Sequence, residues 1–191
     1  IAGLVIARVA VHFHPAQVVS FGLALHAAAF AVLAFLGAHH DVVIILIFIV
    51  LGTGIGIAQT ISNDLMLSSV PPRKAGAASA ISETSYEMGT VLGTVIIGGM
   101  LTAVYRANVV VPDGLDETLA DHAHETLGGA VTVASQVGGE QANQLLSSAF
   151  AAFDSGVVLS SAFSAVLMGV MAVISYFMIR KAPREMKPAD H

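Results

Sequence analysis

Charged residues are scarce in this sequence. Asp, Glu, Lys and Arg make up 11% of the 191 residues, against roughly 25% in an ordinary soluble domain. Hydrophobic residues make up 55%, and the mean hydropathy is +0.81. This balance makes a soluble globular core a poor first hypothesis. Together with the formal net charge of -5, it also excludes a nucleic-acid-binding surface.

Cysteine is absent, so the sequence holds no disulfide and no thiolate site. Six of the eight histidines form three short groups, at 12–14, 39–40 and 122–124, and these groups lie outside the apolar runs. Their spacing lacks the fixed ligand pairs of a structural metal site, so we interpret them as solvated and predict no metal and no cofactor. The residues also offer no Ser-His-Asp or Cys-His arrangement, which counts against a membrane enzyme.

The apolar residues are gathered in runs that match the thickness of a membrane. About 20 helical residues cross the roughly 30 Å of hydrocarbon in a bilayer. Three runs of this length contain no Asp, Glu, Lys or Arg, and a fourth contains two glutamates. We therefore predict an all-α, polytopic membrane helix bundle in the lipid bilayer. The four complete spans are predicted at 17–37, 42–62, 75–105 and 156–179.

The first residues predict that the chain continues upstream. Residues 1–7 are typical of the end of a fifth span, and neither an initiator Met nor a signal peptide is visible. We therefore interpret residues 1–181 as the C-terminal bundle of a longer polytopic protein whose N-terminal half is missing from this sequence.

Basic residues predict the orientation of the spans, because short cytoplasmic loops hold an excess of Lys and Arg. Arg8, Arg73 with Lys74, and the basic residues after the last span all fall at one predicted side. We therefore expect a multi-pass protein of the cell (plasma or inner) membrane, with its C-terminal tail, 182–191, in the cytoplasm. The long acidic segment 106–154 is expected outside, with one or two short amphipathic helices, the second at about 140–153.

The two acids of the fourth span carry the functional hypothesis. Glu83 and Glu87 are four residues apart, so they share one helix face, and Tyr86 and Thr90 extend a polar stripe. Ionised carboxylates within a membrane span cost roughly 2.5–3.5 kcal/mol each on insertion scales, and such residues usually mark a transport pathway. Burial and a neighbouring carboxylate both favour the protonated form. We hypothesise that the pair exchanges a proton for a cationic substrate.

Other interpretations of the polar residues remain open. Each glutamate could instead pair with a Lys or Arg on a helix outside this sequence. Gln59 could line a cavity or bond a neighbouring helix, and Tyr86 could stack on an aromatic cation or pack in the bundle. Asp64 could take part in gating or lie at the interface, bonded to nearby backbone. Five glycines within the predicted spans allow close helix approach or bending, namely Gly52, Gly54, Gly56, Gly89 and Gly93.

The segment VPPRKAGAASAISETSYEMGTVLGTVIIGGML, residues 70–101, resembles the penultimate-helix region of fourteen-span drug/proton antiporters of the major facilitator superfamily. The segment HETLGGAVTVA resembles the large loop before their last span. The resemblance implies that the chain is the C-terminal part of a major facilitator fold. It also implies export of lipophilic cations in exchange for protons, with Glu83 and Glu87 at the positions of family acids that act in substrate recognition or coupling.

Together these features predict proton-coupled efflux of lipophilic cationic or amphipathic compounds by alternating access, with the site between two pseudo-symmetric halves. Glu83 and Glu87 would couple the proton. Glu83, Tyr86, Glu87, Thr90 and Gln59 would bind the substrate, and Asp64 is a possible gating residue. The alternatives are an exporter of a physiological metabolite, which would use the same acids, and a membrane subunit that transports nothing.

Overall fold

The structure is a computed structural model that describes residues 13–37 and 41–180. Within those ranges the chain is helical apart from short connections, and no strand occurs. The helices are α1 (Pro15–Leu36), α2 (Asp41–Ser68), α3 (Ala75–Asn108), α4 (Glu117–Glu125), α5 (Leu127–Val137) and α6 (Gly139–Ile179), with a 3-10 turn at Pro72–Lys74.

Four of the helices, α1, α2, α3 and α6, are long and apolar enough to cross a membrane. The predicted all-α bundle with four spans is therefore confirmed, and the chain is a multi-pass membrane protein. The partial span at 1–7 and the tail at 182–191 lie outside the described residues.

The last span does not begin where its apolar run begins. α6 is one helix of 41 residues, about 60 Å long at 1.5 Å per residue, and it joins the predicted short helix at 140–153 to the predicted span at 156–179. The physical reason lies in 140–155, which contains neither Pro nor Gly. Polar residues end an apolar run, but they do not break a helix.

Small side chains bring α1 close to its two neighbours. α1 packs most extensively against α6 and also against α2. At the α1–α2 crossing, a Cβ on Gly22 would lie 3.0 Å from the carbonyl oxygen of Gly54. On α6, three serines and an alanine in the membrane run are buried: Ser160, Ser161, Ser164 and Ala172. Close approach of small residues is how membrane helices gain packing contacts, because lipid already solvates their apolar side chains.

The helix that carries the two acids touches its neighbours near its two ends. Near its start, Ser82 of α3 donates a hydrogen bond to Asn63 of α2, with Oγ and Oδ1 3.3 Å apart. Near its other end, a Cβ on Gly156 of α6 would lie 3.1 Å from the carbonyl oxygen of Leu101. Between these contacts most α3 residues are exposed within the described chain.

The segment 109–153, here called the cap, forms a small core beyond the membrane runs. Tyr105 anchors α3 to it, since its side chain is buried and its hydroxyl donates to the carbonyl of Ala123, 2.8 Å away. The apolar centre comprises Ala123, Ala130, Val133, Ala134, Ala142, Leu145, Ala149 and Ala152. Two consecutive glycines, Gly138 and Gly139, have positive φ and turn the chain from α5 into α6.

The cap marks one end of the bundle, which we call the cap end. The opposite end carries Arg73, Lys74 and Arg180, because α3 begins and the antiparallel α6 ends on the side away from the cap. We call it the basic end. The cytoplasmic position predicted for it remains a prediction.

Candidate functional site

Glu83 and Glu87 lie on a stretch of α3 that the other described residues leave uncovered. Both side chains are exposed within the described chain, and neither forms an ion pair or a hydrogen bond with residues 13–37 or 41–180. The alternative in which each acid is held by a base therefore requires a partner outside the described residues. Tyr86 is half-buried and Thr90 is exposed on the same side of the helix.

The acid-bearing face of α3 is the face that docks on α6 and the cap. Leu101 follows Glu83 by 18 residues, and Tyr105 follows Glu87 by the same interval. Eighteen residues are five turns of 3.6, so each acid lies directly below one of these two contact residues on the helix. Leu101 contacts Gly156 and Tyr105 contacts Ala123. This spacing places the acids on the side of α3 that faces α6, on the basic-end side of the Leu101–Gly156 contact. We call the exposed region between α3 and α6 on that side the cleft.

The opposite wall of this cleft is apolar. Ile174 follows Gly156 by 18 residues, again five turns, so it lies on the docking face of α6 about 27 Å from the contact and level with Glu83 on the antiparallel α3. Phe163, Leu167 and Val170 occupy the same face of α6 between them, and all four side chains are at least 40% exposed. The cleft thus has acids on one side and large apolar side chains on the other.

A third element, α2, contacts α3 near the basic end. Gln59 precedes Asn63 by one helical turn, and Tyr86 follows Ser82 by one turn on the antiparallel α3. Gln59 and Tyr86 are therefore level with each other, just above the Asn63–Ser82 hydrogen bond. Asp64 is exposed beside this contact and makes no hydrogen bond with the described residues.

The Asn63–Ser82 hydrogen bond indicates how deep in the membrane the two acids are expected to lie. The charge-free run 42–63 of α2 is about 33 Å long, which just crosses the roughly 30 Å of hydrocarbon, so we expect Asn63 and Ser82 near the hydrocarbon boundary at the basic end. Glu83 is next to that boundary. Glu87 lies about 6 Å further in than Glu83, and Leu101, about 28 Å from Ser82, falls near the opposite boundary. The pair occupies the part of the span nearest the basic end.

The polar stripe mainly offers hydrogen-bond acceptors. The Thr90 hydroxyl donates to the carbonyl of Tyr86 at 3.0 Å, and the Thr94 hydroxyl donates to that of Thr90 at 2.8 Å. These protons are committed to the helix, so the two hydroxyl oxygens present lone pairs outward beside the carboxylates. Such a surface suits a cation or a ligand with N–H groups, and it does not suit an anion.

Sequence reasoning passed over one ionisable residue inside a span. His26 lies in α1 and is buried, and its position within the predicted span 17–37 was the signal that could have found it. Of the predicted loop histidines, His14 is the N-cap of α1 and His122 and His124 are exposed on α4. His12, His39 and His40 lie outside the described residues. No group of three His, Asp or Glu residues in the described part of the chain could hold a metal.

Comparison with known proteins assigns the chain to a family. It is 43% identical over 175 residues, 91% of its length, to the multidrug efflux pump LfrA of Mycolicibacterium smegmatis. It is 34% identical over 136 residues, 70% of its length, to the methyl viologen resistance protein SmvA of Salmonella typhimurium. The chain belongs to the drug-efflux branch of the major facilitator superfamily. No family model matches it.

A further relative in this efflux branch is the tetracenomycin C resistance and export protein of Streptomyces glaucescens, 26% identical over 200 residues and matching 100% of the chain. In each case the chain spans about a third of the relative or less, namely 35%, 27% and 36% of the three proteins. The family resemblance drawn from residues 70–101 is thereby confirmed.

Proposed function

We propose that this chain forms one side of the substrate pathway of a proton-coupled exporter of lipophilic cations. The observation that carries the proposal is the two-sided cleft, with Glu83 and Glu87 on α3 and Ile174 on α6. A lipophilic cation needs both an anionic partner and an apolar surface, and the cleft offers them on opposite walls. Relatives named for multidrug efflux and for methyl viologen resistance support this substrate class.

In the proposed cycle Glu87, the deeper of the two acids, binds the cation and the proton in turn. Deprotonated Glu87 attracts the cation from the basic end, and Tyr86 and Gln59 flank it. After the cation leaves, a proton neutralises the carboxylate. Because a neutral acid is less costly within the membrane, the protonated cleft without substrate returns more readily to the state open at the basic end. One proton moves against one cation at the same carboxylate, and this competition couples the two fluxes.

The two acids are expected to contribute unequally. Glu83 lies at the boundary, where water screens its charge, whereas Glu87 lies inside, where an electrostatic interaction is stronger. We expect Glu87→Gln in the full-length protein to lower ethidium efflux at least about tenfold, equivalent to ~1.4 kcal/mol. Glu83→Gln should lower it about two- to threefold, as for a partly exposed charge interaction.

The test measures ethidium efflux from energised cells between pH 6 and 8, with and without a protonophore. Glu117→Gln on α4 is the matched control, because that glutamate is exposed on the cap, away from the cleft. Efflux by the control should keep the wild-type rate and remain sensitive to the protonophore. Normal efflux with an unchanged pH dependence in both Glu83→Gln and Glu87→Gln would refute the proposal.

The basic end faces the cytoplasm in this proposal, since Arg73, Lys74 and Arg180 lie there and the acidic cap lies at the other end. A cysteine at exposed Glu117 should then react with an impermeant maleimide added outside intact cells, and one at exposed Arg73 should not. Labelling at position 73 but not at position 117 would show that the basic end faces outward.

A further inference from the structure

His26 is the only ionisable residue among residues 15–37 and is 6% exposed. Its Nδ1 lies 3.0 Å from the carbonyl oxygen of Gly22. Because a carbonyl can only accept, Nδ1 carries the hydrogen of this bond. In the neutral ring Nε2 then bears a lone pair. Nε2 is buried and has no hydrogen-bond partner in the part of the chain that the structure describes.

The ring is wedged at the closest approach of two helices. A Cβ built on Gly54 of α2 would lie 2.5 Å from Nδ1 and 2.7 Å from Cε1 of His26. Only glycine can therefore face the ring, whereas Gly52 and Gly56 have open space around them within the described residues. Gly54, which faces His26, is therefore the one of these three glycines that the packing requires.

Within the described residues, the membrane runs of the two helices packed on α1 offer no charge to balance a protonated ring. The membrane run 42–63 of α2 contains no ionisable residue, and neither does 155–175 of α6, which packs on the same helix α1. Ser160 of α6 is also buried, with a hydroxyl that has no partner among the described residues. An imidazolium at this position would bury a positive charge and an Nε2–H donor without an anion, which is unfavourable.

We propose that His26 is a proton-binding site whose protonation separates α1 from α2 at Gly54, letting water or a hydroxyl reach Nε2. The neutral ring fits the dry crossing, and the charged ring does not. Its use in transport rests on the function proposed above, where it would be a second proton-responsive group beside the acids of α3. The proton-dependent separation of the helices does not rest on that function.

The test measures the distance between spin labels on α1 and α2 in the purified full-length protein. Phe21 and Ile55 adjoin Gly22 and Gly54 and are 61% and 55% exposed, so Phe21→Cys and Ile55→Cys supply the labels once any cysteines elsewhere are replaced. The pH is lowered from 8 to 5, the range in which histidines change charge. We expect the distance to lengthen with acidity in the otherwise unaltered protein and to stay constant with His26→Gln.

Controls separate this site from other titrating groups. His122→Gln, which removes an exposed histidine of the cap, should leave the lengthening intact. The double variant Glu83→Gln/Glu87→Gln should leave it intact as well. If His26→Gln does not fold, His26→Phe keeps a ring of similar shape without a titrating group, and the same constancy is expected.

Three results would overturn the proposal: a distance that does not change with pH in the protein with His26, a lengthening that persists in the folded His26 variant, or a lengthening lost with the Glu83 and Glu87 substitutions. Failure of the proposed function looks different, because normal export by the glutamate variants would leave the His26-dependent distance change untouched.

Discussion

Gly156 of α6 lies against the backbone of Leu101 of α3, where a Cβ would approach the Leu101 carbonyl oxygen to 3.1 Å. This contact holds the two helices together at the cap end of the cleft, and most α3 residues between it and the acids are exposed in the described chain. Because the opposing atom belongs to the backbone of a long helix, it cannot move aside as a flexible side chain would. The contact therefore limits how large a side chain α6 can carry at position 156.

A bulky residue at this contact should force the helices apart. We expect Gly156→Val to lower the free energy of unfolding by about 1–3 kcal/mol, the usual cost of overpacking, and to reduce ethidium efflux. Gly156→Ala should have a smaller effect, since a shift of a few tenths of an ångström accommodates it. Thermal unfolding of the detergent-purified full-length protein measures the first effect.

Gly169→Val is the matched control, because Gly169 lies on the same helix and has open space around it in the described chain. Both substitutions carry the same change in helix propensity. Equal losses from the two would mean that the valine acts through the helix itself and that the contact with Leu101 is not a fixed point.

The apolar wall gives a prediction about substrates. Ile174 is 42% exposed on the docking face of α6, and Ile174→Asn replaces a large apolar surface by an amide. We expect the KM for ethidium to rise about three- to tenfold, which corresponds to losing ~1 kcal/mol of apolar contact. A small hydrophilic cation should show little change, because it gains little from that wall.

Val173→Asn provides the comparison, since Val173 is 56% exposed on a neighbouring face of α6. Its KM for ethidium should remain near the wild-type value. A rise of KM for both variants, or for neither, would contradict the placement of Ile174 in the cleft.

Charge distribution along the chain was enough to predict the spans, because a membrane helix must avoid ionised groups over about 20 residues. It was not enough for α6, whose first turns are polar and still helical. The cleft also needed the structure: Glu83 and Ile174 become opposite walls only through the docking of Leu101 on Gly156, which depends on tertiary packing. His26 was visible in the sequence as an ionisable residue in a span, but its burial against Gly54 was not.

The link between α3 and the cap depends on one buried hydroxyl. Tyr105→Phe would remove the donor to the Ala123 carbonyl and leave that acceptor unpaired in the cap core. The expected cost is about 1–3 kcal/mol, seen as faster hydrogen exchange in α4. Tyr176→Phe, on an exposed position of α6, should leave exchange in α4 unchanged. Unchanged exchange in Tyr105→Phe would show that the cap is held by its apolar core alone.

The start of α4 is expected to respond to acid. The hydroxyl of Thr118 and, to a lesser extent, its backbone N–H donate to Asp116 and hold the pKa of that carboxyl below its ordinary value of 3.8. Because the folded pKa is the lower one, this N-cap stabilises α4 above about pH 3.8 and loses its effect as the pH falls through the folded value. Protection factors of the α4 amides should therefore drop as the pH is lowered from 5 to 2.5.

Asp116→Asn tests the assignment, because asparagine is an equally good N-cap and does not titrate. Protection of α4 in this variant should lose most of its dependence on pH in the same range. α5 is an internal control, since its N-cap is the hydroxyl of Thr126, which accepts from the Gly129 N–H at 3.0 Å and carries no charge. A parallel loss of protection in α4 and α5 would indicate that acid opens the whole cap, so that the Asp116 carboxylate would not be the group whose protonation matters.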